Sequence, residues 1–100
     1  NVNEHNKIGE TPLLCACNNG YENITKFLVK QGADVNGKNN VGETPLFYAC
    51  KNGYENIVKN LVEYGADVNK KNFLSETPLL YACKNGNKNI IKYLIEHGAD

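Results

Sequence analysis

Apolar positions along the chain fall into short helical stretches set between polar, glycine-bearing turns. In the first third, Thr11 is a good N-cap, and Pro12 occupies the first helical position, where its missing N–H costs nothing. A short helix is predicted from Leu13 to about Asn19, stopped by Gly20 in the left-handed conformation. A second helix is predicted from about Tyr21 to Gln31. In it Ile24, Phe27 and Leu28 fall at i, i+3, i+4 and define one apolar face. Gly32 ends this helix by the same device, and Ala33 to Gly42, rich in Asn and Gly, turn back as an extended loop or hairpin.

The pattern then recurs. Thr11-Pro12-Leu13 returns as Thr44-Pro45-Leu46 and Thr77-Pro78-Leu79, a step of 33 residues each time. Asn19-Gly20, Asn52-Gly53 and Asn85-Gly86 keep that step, as do Gly32-Ala33-Asp34, Gly65-Ala66-Asp67 and Gly98-Ala99-Asp100. Val2-Asn3, Val35-Asn36 and Val68-Asn69 complete the register. Neither predicted helix reaches the ~12–15 residues that an isolated helix needs, so each unit has to stack on its neighbours to bury its apolar face.

The motif G-x-T-P-L-x-x-A, then N-G, an I-V-x-x-L-V helix and G-A-D-V-N resembles the ankyrin repeat. Gly42 to Leu46 and Ile57-Val58 through Asn69 carry the resemblance most fully, and it extends over the whole chain. It implies an all-α repeat solenoid: ankyrin-type helix–loop–helix units joined by hairpin loops, with a concave surface formed by the hairpin tips and the first helices. Residues 1–100 are then expected to form one ankyrin repeat domain with units at about 6–38, 39–71 and 72–100.

Several positions depart from the family pattern. Leu14, Phe47 and Leu80 stand where the family has His after T-P-L, so apolar packing is expected to hold the loops. Ser75 replaces the Gly seen at Gly9 and Gly42, which predicts a strained or differently shaped third hairpin. Asn60 stands where Phe27 and Tyr93 carry rings, and reads as a polar spot on the second helix or an exposed edge. The third unit keeps Ile90, Ile91, Tyr93, Leu94 and Ile95, as apolar as an interior unit, where terminal units normally turn a polar face outward. Two expectations follow: the chain belongs to a longer array, or its molecules stack end to end. The absence of Met predicts that residue 1 is not the natural start.

Composition removes most chemistry. Eleven Lys balance eleven acidic residues and Arg is absent, which disfavours nucleic acid and anionic membranes as partners. No run approaches the ~18 apolar residues of a membrane span, and no signal peptide is evident. Seventeen Asn beside abundant Lys suggest the compositional bias of an AT-rich genome. Cys17, Cys50 and Cys83 share one register on the packed face of the first helix. Neighbouring helices lie about 8–10 Å apart, beyond the ~7 Å that a disulfide spans, while Cys15 and Cys17 point apart. Buried thiols in a reducing, intracellular, cytoplasmic setting are therefore expected. Zinc would need a C-x-x-C or paired-His spacing that the chain lacks, and His5 and His97 fall in unrelated places. No catalytic set, phosphate loop or cofactor motif is present, so neither an enzyme nor a cofactor is expected. Glu10, Glu43 and Glu76 read as favourable partners of helix N-termini and of solvent. Asn23-Ile24-Thr25 is a formal glycosylation sequon, read as accidental. The resemblance permits hydroxylation of Asn36 and Asn69, although a structural bond to backbone is the favoured role.

Carrying over the family's contact positions places a protein partner on the tips and on the concave ends of the first helices. The residues singled out are Ile8, Val41, Phe73 and Leu74 at the tips, with Tyr48, Lys51, Tyr81 and Lys84 between and beside them. The tip side chains either anchor a partner or fold onto the next hairpin. For Phe73, with no evident local partner, the anchor reading leads. The function expected is non-enzymatic protein binding; the alternative is a structural spacer in a longer solenoid.

Overall fold

The computed structural model describes all 100 residues as six short helices and no strands: α1 (Pro12–Asn19), α2 (Glu22–Lys30), α3 (Pro45–Asn52), α4 (Glu55–Glu63), α5 (Pro78–Asn85) and α6 (Lys88–Glu96). They form two layers. The first helix of each pair makes one, with α3 between α1 and α5; the second helix makes the other, with α4 between α2 and α6.

Local chemistry sets the helix ends. The Thr11 and Thr77 hydroxyls accept from the amides of Leu14 and Leu80, and a proline follows each cap. The first helices stop at Gly20, Gly53 and Gly86, all at positive φ. The second helices are one residue shorter at each end than the apolar pattern predicts. Tyr21 serves as N-cap and Gln31 as C-cap. Gly32 N then bonds Val29 O and Ala33 N bonds Leu28 O, the paired bonds of a left-handed helix stop.

Burial follows position in the stack, and this corrects the predicted apolar face of the second helix. Ile24 is 49 % exposed and Phe27 also faces solvent, whereas Thr25 is fully buried against Cys17. In the same register as Ile24, Ile57 and Ile90 are 2 % and 1 % exposed, because a preceding unit covers them and none covers α2. The opposite end behaves conversely. Leu14 and Phe47 are completely buried, while Leu80 is 41 % exposed, and Cys83 is exposed where Cys17 and Cys50 are sealed. The middle unit, with α3 buried along nearly its whole length, holds the core.

Apolar packing is only part of what holds the loops. An Asn ladder carries the rest. Asn36 Oδ1 accepts from Asp67 N at 2.8 Å while its Nδ2 donates to Gly65 O; Asn3 and Asn69 make the equivalent bonds to Asp34 and Gly32, and to Asp100 and Gly98. Asn6, Asn39 and Asn72 brace each hairpin turn from within, and Asn52 and Asn85 tie the ends of α3 and α5 to the preceding helix. Much of the Asn excess, read from composition as a bias of the genome, thus does structural work. Asn36 and Asn69 bond to backbone, the structural role favoured for them.

The third hairpin keeps the shape of the others. Gly9, Gly42 and Ser75 have φ of 83°, 85° and 63°, and each amide bonds the carbonyl three residues back. Ser75 therefore carries the strain as a non-glycine residue at positive φ instead of changing the turn. Asn60 is half-buried, and its Nδ2 is buried without a hydrogen-bond partner.

Candidate protein-binding face

The hairpins bring Ile8, Val41, Phe73 and Leu74 to one edge of the stack, and all four are exposed; Phe73 and Leu74 reach 64 % and 79 %. Val41 O accepts from Phe73 N at 3.0 Å, so the second and third hairpins are joined backbone to backbone. Phe73 has a local partner that its sequence context did not reveal. Its ring edge lies over Gly42 of the preceding hairpin, with Lys38 Nζ 5.5 Å from the ring centre. Most of the ring still faces solvent.

Beside the tips a cleft of about 460 Å³ is lined by Glu43, Lys51, Tyr81, Lys84 and Asn85. Three of the residues singled out from sequence, Lys51, Tyr81 and Lys84, meet there. Lys84 Nζ is held 2.9 Å from Glu76, whereas Lys51 makes no ion pair. Glu43 accepts from Asn39 Nδ2 and from the Tyr81 hydroxyl. The three glutamates thus brace the hairpins through side-chain bonds, a role beyond the helix-end and solvent interactions expected of them. Hydrogen bonds from Asn72 first, and then from Lys84, hold the Glu76 carboxyl below its ordinary range. Glu43 entered the sequence reading only as a helix-end carboxylate. Its place in the cleft arises from the approach of Tyr81 across the unit boundary, which no local motif encodes.

Tyr48 is a correction. It occupies the register of Tyr81 yet is only 7 % exposed; its hydroxyl accepts from Asn39 Nδ2 at 2.9 Å within the core of the middle unit. The third unit packs over Tyr48, and nothing covers Tyr81 in the same way. Tyr48 therefore offers a partner no surface.

Nothing in the face suggests a reacting group. Burial raises the Tyr81 hydroxyl, and its bond to Glu43 raises it further. Burial likewise pushes the Cys17 and Cys50 thiols up to about 12. These groups stay protonated at neutral pH and are poor nucleophiles. No three His, Cys, Asp or Glu side chains converge to hold a metal ion, and no helix is long and apolar enough to cross a membrane.

Stacked helix pairs joined by hairpins define a helical repeat protein. The family follows from the match of a model for ankyrin repeats in three copies over residues 1–72, and of a second, for ankyrin repeats in many copies, over residues 53–95. The chain belongs to the ankyrin repeat family, whose members are in general protein–protein interaction modules and typically not enzymes. No curated protein matches it.

Proposed function

We propose that this chain is a non-enzymatic interaction module that grips another protein with its hairpin tips and the adjoining cleft. The observation that carries the reading is the row of four large apolar side chains, Ile8, Val41, Phe73 and Leu74, exposed on consecutive hairpins. The tips supply apolar area at the centre of a contact. Lys51, the cleft lysine without an ion pair, supplies a point charge for a partner's carboxylate at the edge. Four unpaired thiols suit a reducing, intracellular compartment. Residues 1–100 act as one repeat domain in this reading.

The test is a double variant, Phe73→Ser with Leu74→Ser. Both side chains are exposed, so the thermal midpoint should stay within a few degrees of wild type. A partner isolated from the native source on the wild-type chain should bind the variant at least tenfold more weakly by calorimetric titration. Equal affinity at equal stability sinks the reading.

The exposed end faces favour a second contact, head-to-tail stacking of copies. Ile24 lies on one end and Leu80 on the other, each open where its register-mates are buried between units. A light-scattering series over concentration checks this, and a constant monomer mass removes it.

A further inference from the structure

The hairpins carry two ladders with the 33-residue step. Ile8, Val41 and Leu74 form an apolar one, and His5, Lys38 and Lys71, three positions earlier, form a basic one. Val41 and Lys38 lie on the middle hairpin, with a hairpin on either side, and both are exposed, Val41 at 52 %. Their exposure is therefore set by the stack itself. Neighbouring tips touch: Asn40 Nδ2 donates to Lys7 O at 3.4 Å, and Phe73 N donates to Val41 O at 3.0 Å. The tips thus keep the pitch of the helices beneath them, about 8–10 Å per unit.

Charge at this edge is not balanced as it is over the whole chain. Glu10, Glu43 and Glu76 accept from Asn6, Asn39 and Asn72 of their own hairpins, and Asp34 and Asp67 accept from the amides of Asn36 and Asn69. Lys38 and Lys71 make no ion pair, and Lys38 Nζ lies 5.5 Å from the centre of the Phe73 ring, at the tips. The second and third hairpins thus offer free cations beside exposed apolar side chains, while these carboxylates are engaged in holding the turns. That combination is complementary to a segment with both apolar and acidic side chains.

Spacing selects the backbone of that segment. A β-strand returns to one face about every 6.6 Å, out of step with the tips. The apolar stripe of an α-helix presents a side chain about every 5 Å, roughly twice their density. A polyproline II helix, with three residues per turn and a rise of about 3.1 Å, returns to one face about every 9.3 Å, once per hairpin. A flat anionic membrane has no such period, and would meet the glutamate arms of the hairpins as well as the lysines.

We propose that the tip row binds an extended acidic segment of polyproline II form. An apolar side chain at every third position lies against Ile8, Val41 and Leu74, and intervening carboxylates lie against Lys38 and Lys71. This names the partner chemistry of the tip row and rests on the binding reading given above.

Fluorescence anisotropy with a labelled peptide of four Leu-Pro-Glu triplets tests it, since proline holds each preceding Leu extended. Two control peptides accompany it: one of the same composition with its leucines adjacent, and one with Lys for each Glu. The triplet peptide should bind at least tenfold more tightly than either control. Lys38→Glu should weaken it at least fivefold, and Lys92→Glu, an exposed change on the second-helix layer, should leave it unaltered. Equal affinity for the adjacent-leucine peptide overturns the spacing, and equal affinity for the Lys peptide overturns the charge. Binding to phosphatidylserine vesicles without binding to the peptide overturns the proposal in favour of a lipid surface. No binding to any peptide, while a native partner still requires Phe73 and Leu74, rejects this inference and leaves the tip row as a binding site. A native partner indifferent to those two residues, with no peptide bound, rejects both.

Discussion

The Tyr81 hydroxyl donates a 2.6 Å hydrogen bond to Glu43 Oε2, 38 positions earlier in the chain and on the preceding hairpin. The Tyr81 hydroxyl oxygen in turn accepts from Asn72 Nδ2 at 3.0 Å, and the ring meets Phe47 edge-on with centres 5.0 Å apart. One side chain thereby joins the third helix pair, its own hairpin and the hairpin before it. Tyr81→Phe keeps the ring contact and removes the bond to a carboxylate. It should lower stability by about 1–2 kcal/mol, towards the lower part of the range for charged hydrogen bonds because the pair is half-exposed. Urea unfolding measures this, and a change within error would show that solvent replaces the bond at no cost.

Alkaline pH should act through the two sealed thiols. Burial raises Cys17 and Cys50 from an ordinary value of 9.0 to about 12. The folded state thus favours the neutral thiol, and the unfolded chain loses its proton first. The contribution is intact below about pH 9 and falls away as pH rises toward 12, by up to about 4 kcal/mol per thiol. Urea midpoints at pH 8 and pH 10.5 should therefore differ more for wild type than for a Cys17→Ala, Cys50→Ala double variant. Parallel slopes would refute the assignment. The exposed Cys83 should react with a thiol reagent in the folded state, well ahead of both.

Asn36 makes both of its bonds to the following unit, accepting from Asp67 N and donating to Gly65 O. Asn36→Ala should destabilise by about 1–3 kcal/mol, since two backbone groups lose their partner at once. Asn36→Asp keeps the acceptor but sets a carboxylate against the Gly65 carbonyl, and should be no better than Ala. Hydrogen exchange at the Asp67 amide is the local readout; protection retained in the Ala variant would contradict the ladder.

Asn60 offers the opposite case. Its Nδ2 is buried without a partner, in the register of Phe27 and Tyr93. Asn60→Leu removes the orphaned donor and adds apolar area, and should raise stability by about 1 kcal/mol. For a domain of this size that appears as a rise of roughly 4–8 °C in Tm. Calorimetry showing a fall would mean that the amide meets a water or a neighbour in solution.

Much of this architecture was legible from local sequence. Thr-Pro starts, glycine stops and the 33-residue step place all six helices to within a residue, because caps and left-handed turns are chemistry of a few consecutive residues. The tip row was legible for the same reason, since hairpin position follows from the turn. The cleft was legible in part. Lys51, Tyr81 and Lys84 carried a signal through their register, but Glu43 entered through a contact between units, and Tyr48 left because the third unit covers it.

What the sequence by itself determined is the unit: its two helices, its turns and its period. Only the tertiary structure decided which of three equivalent side chains is inside. Ile24 and Ile57, and Cys83 and Cys50, have nearly identical local surroundings and opposite exposure, and Tyr81 is half-buried where Tyr48 is buried. The physical reason is that apolar burial in a stacked repeat depends on the neighbours on either side, and those are set by position in the stack.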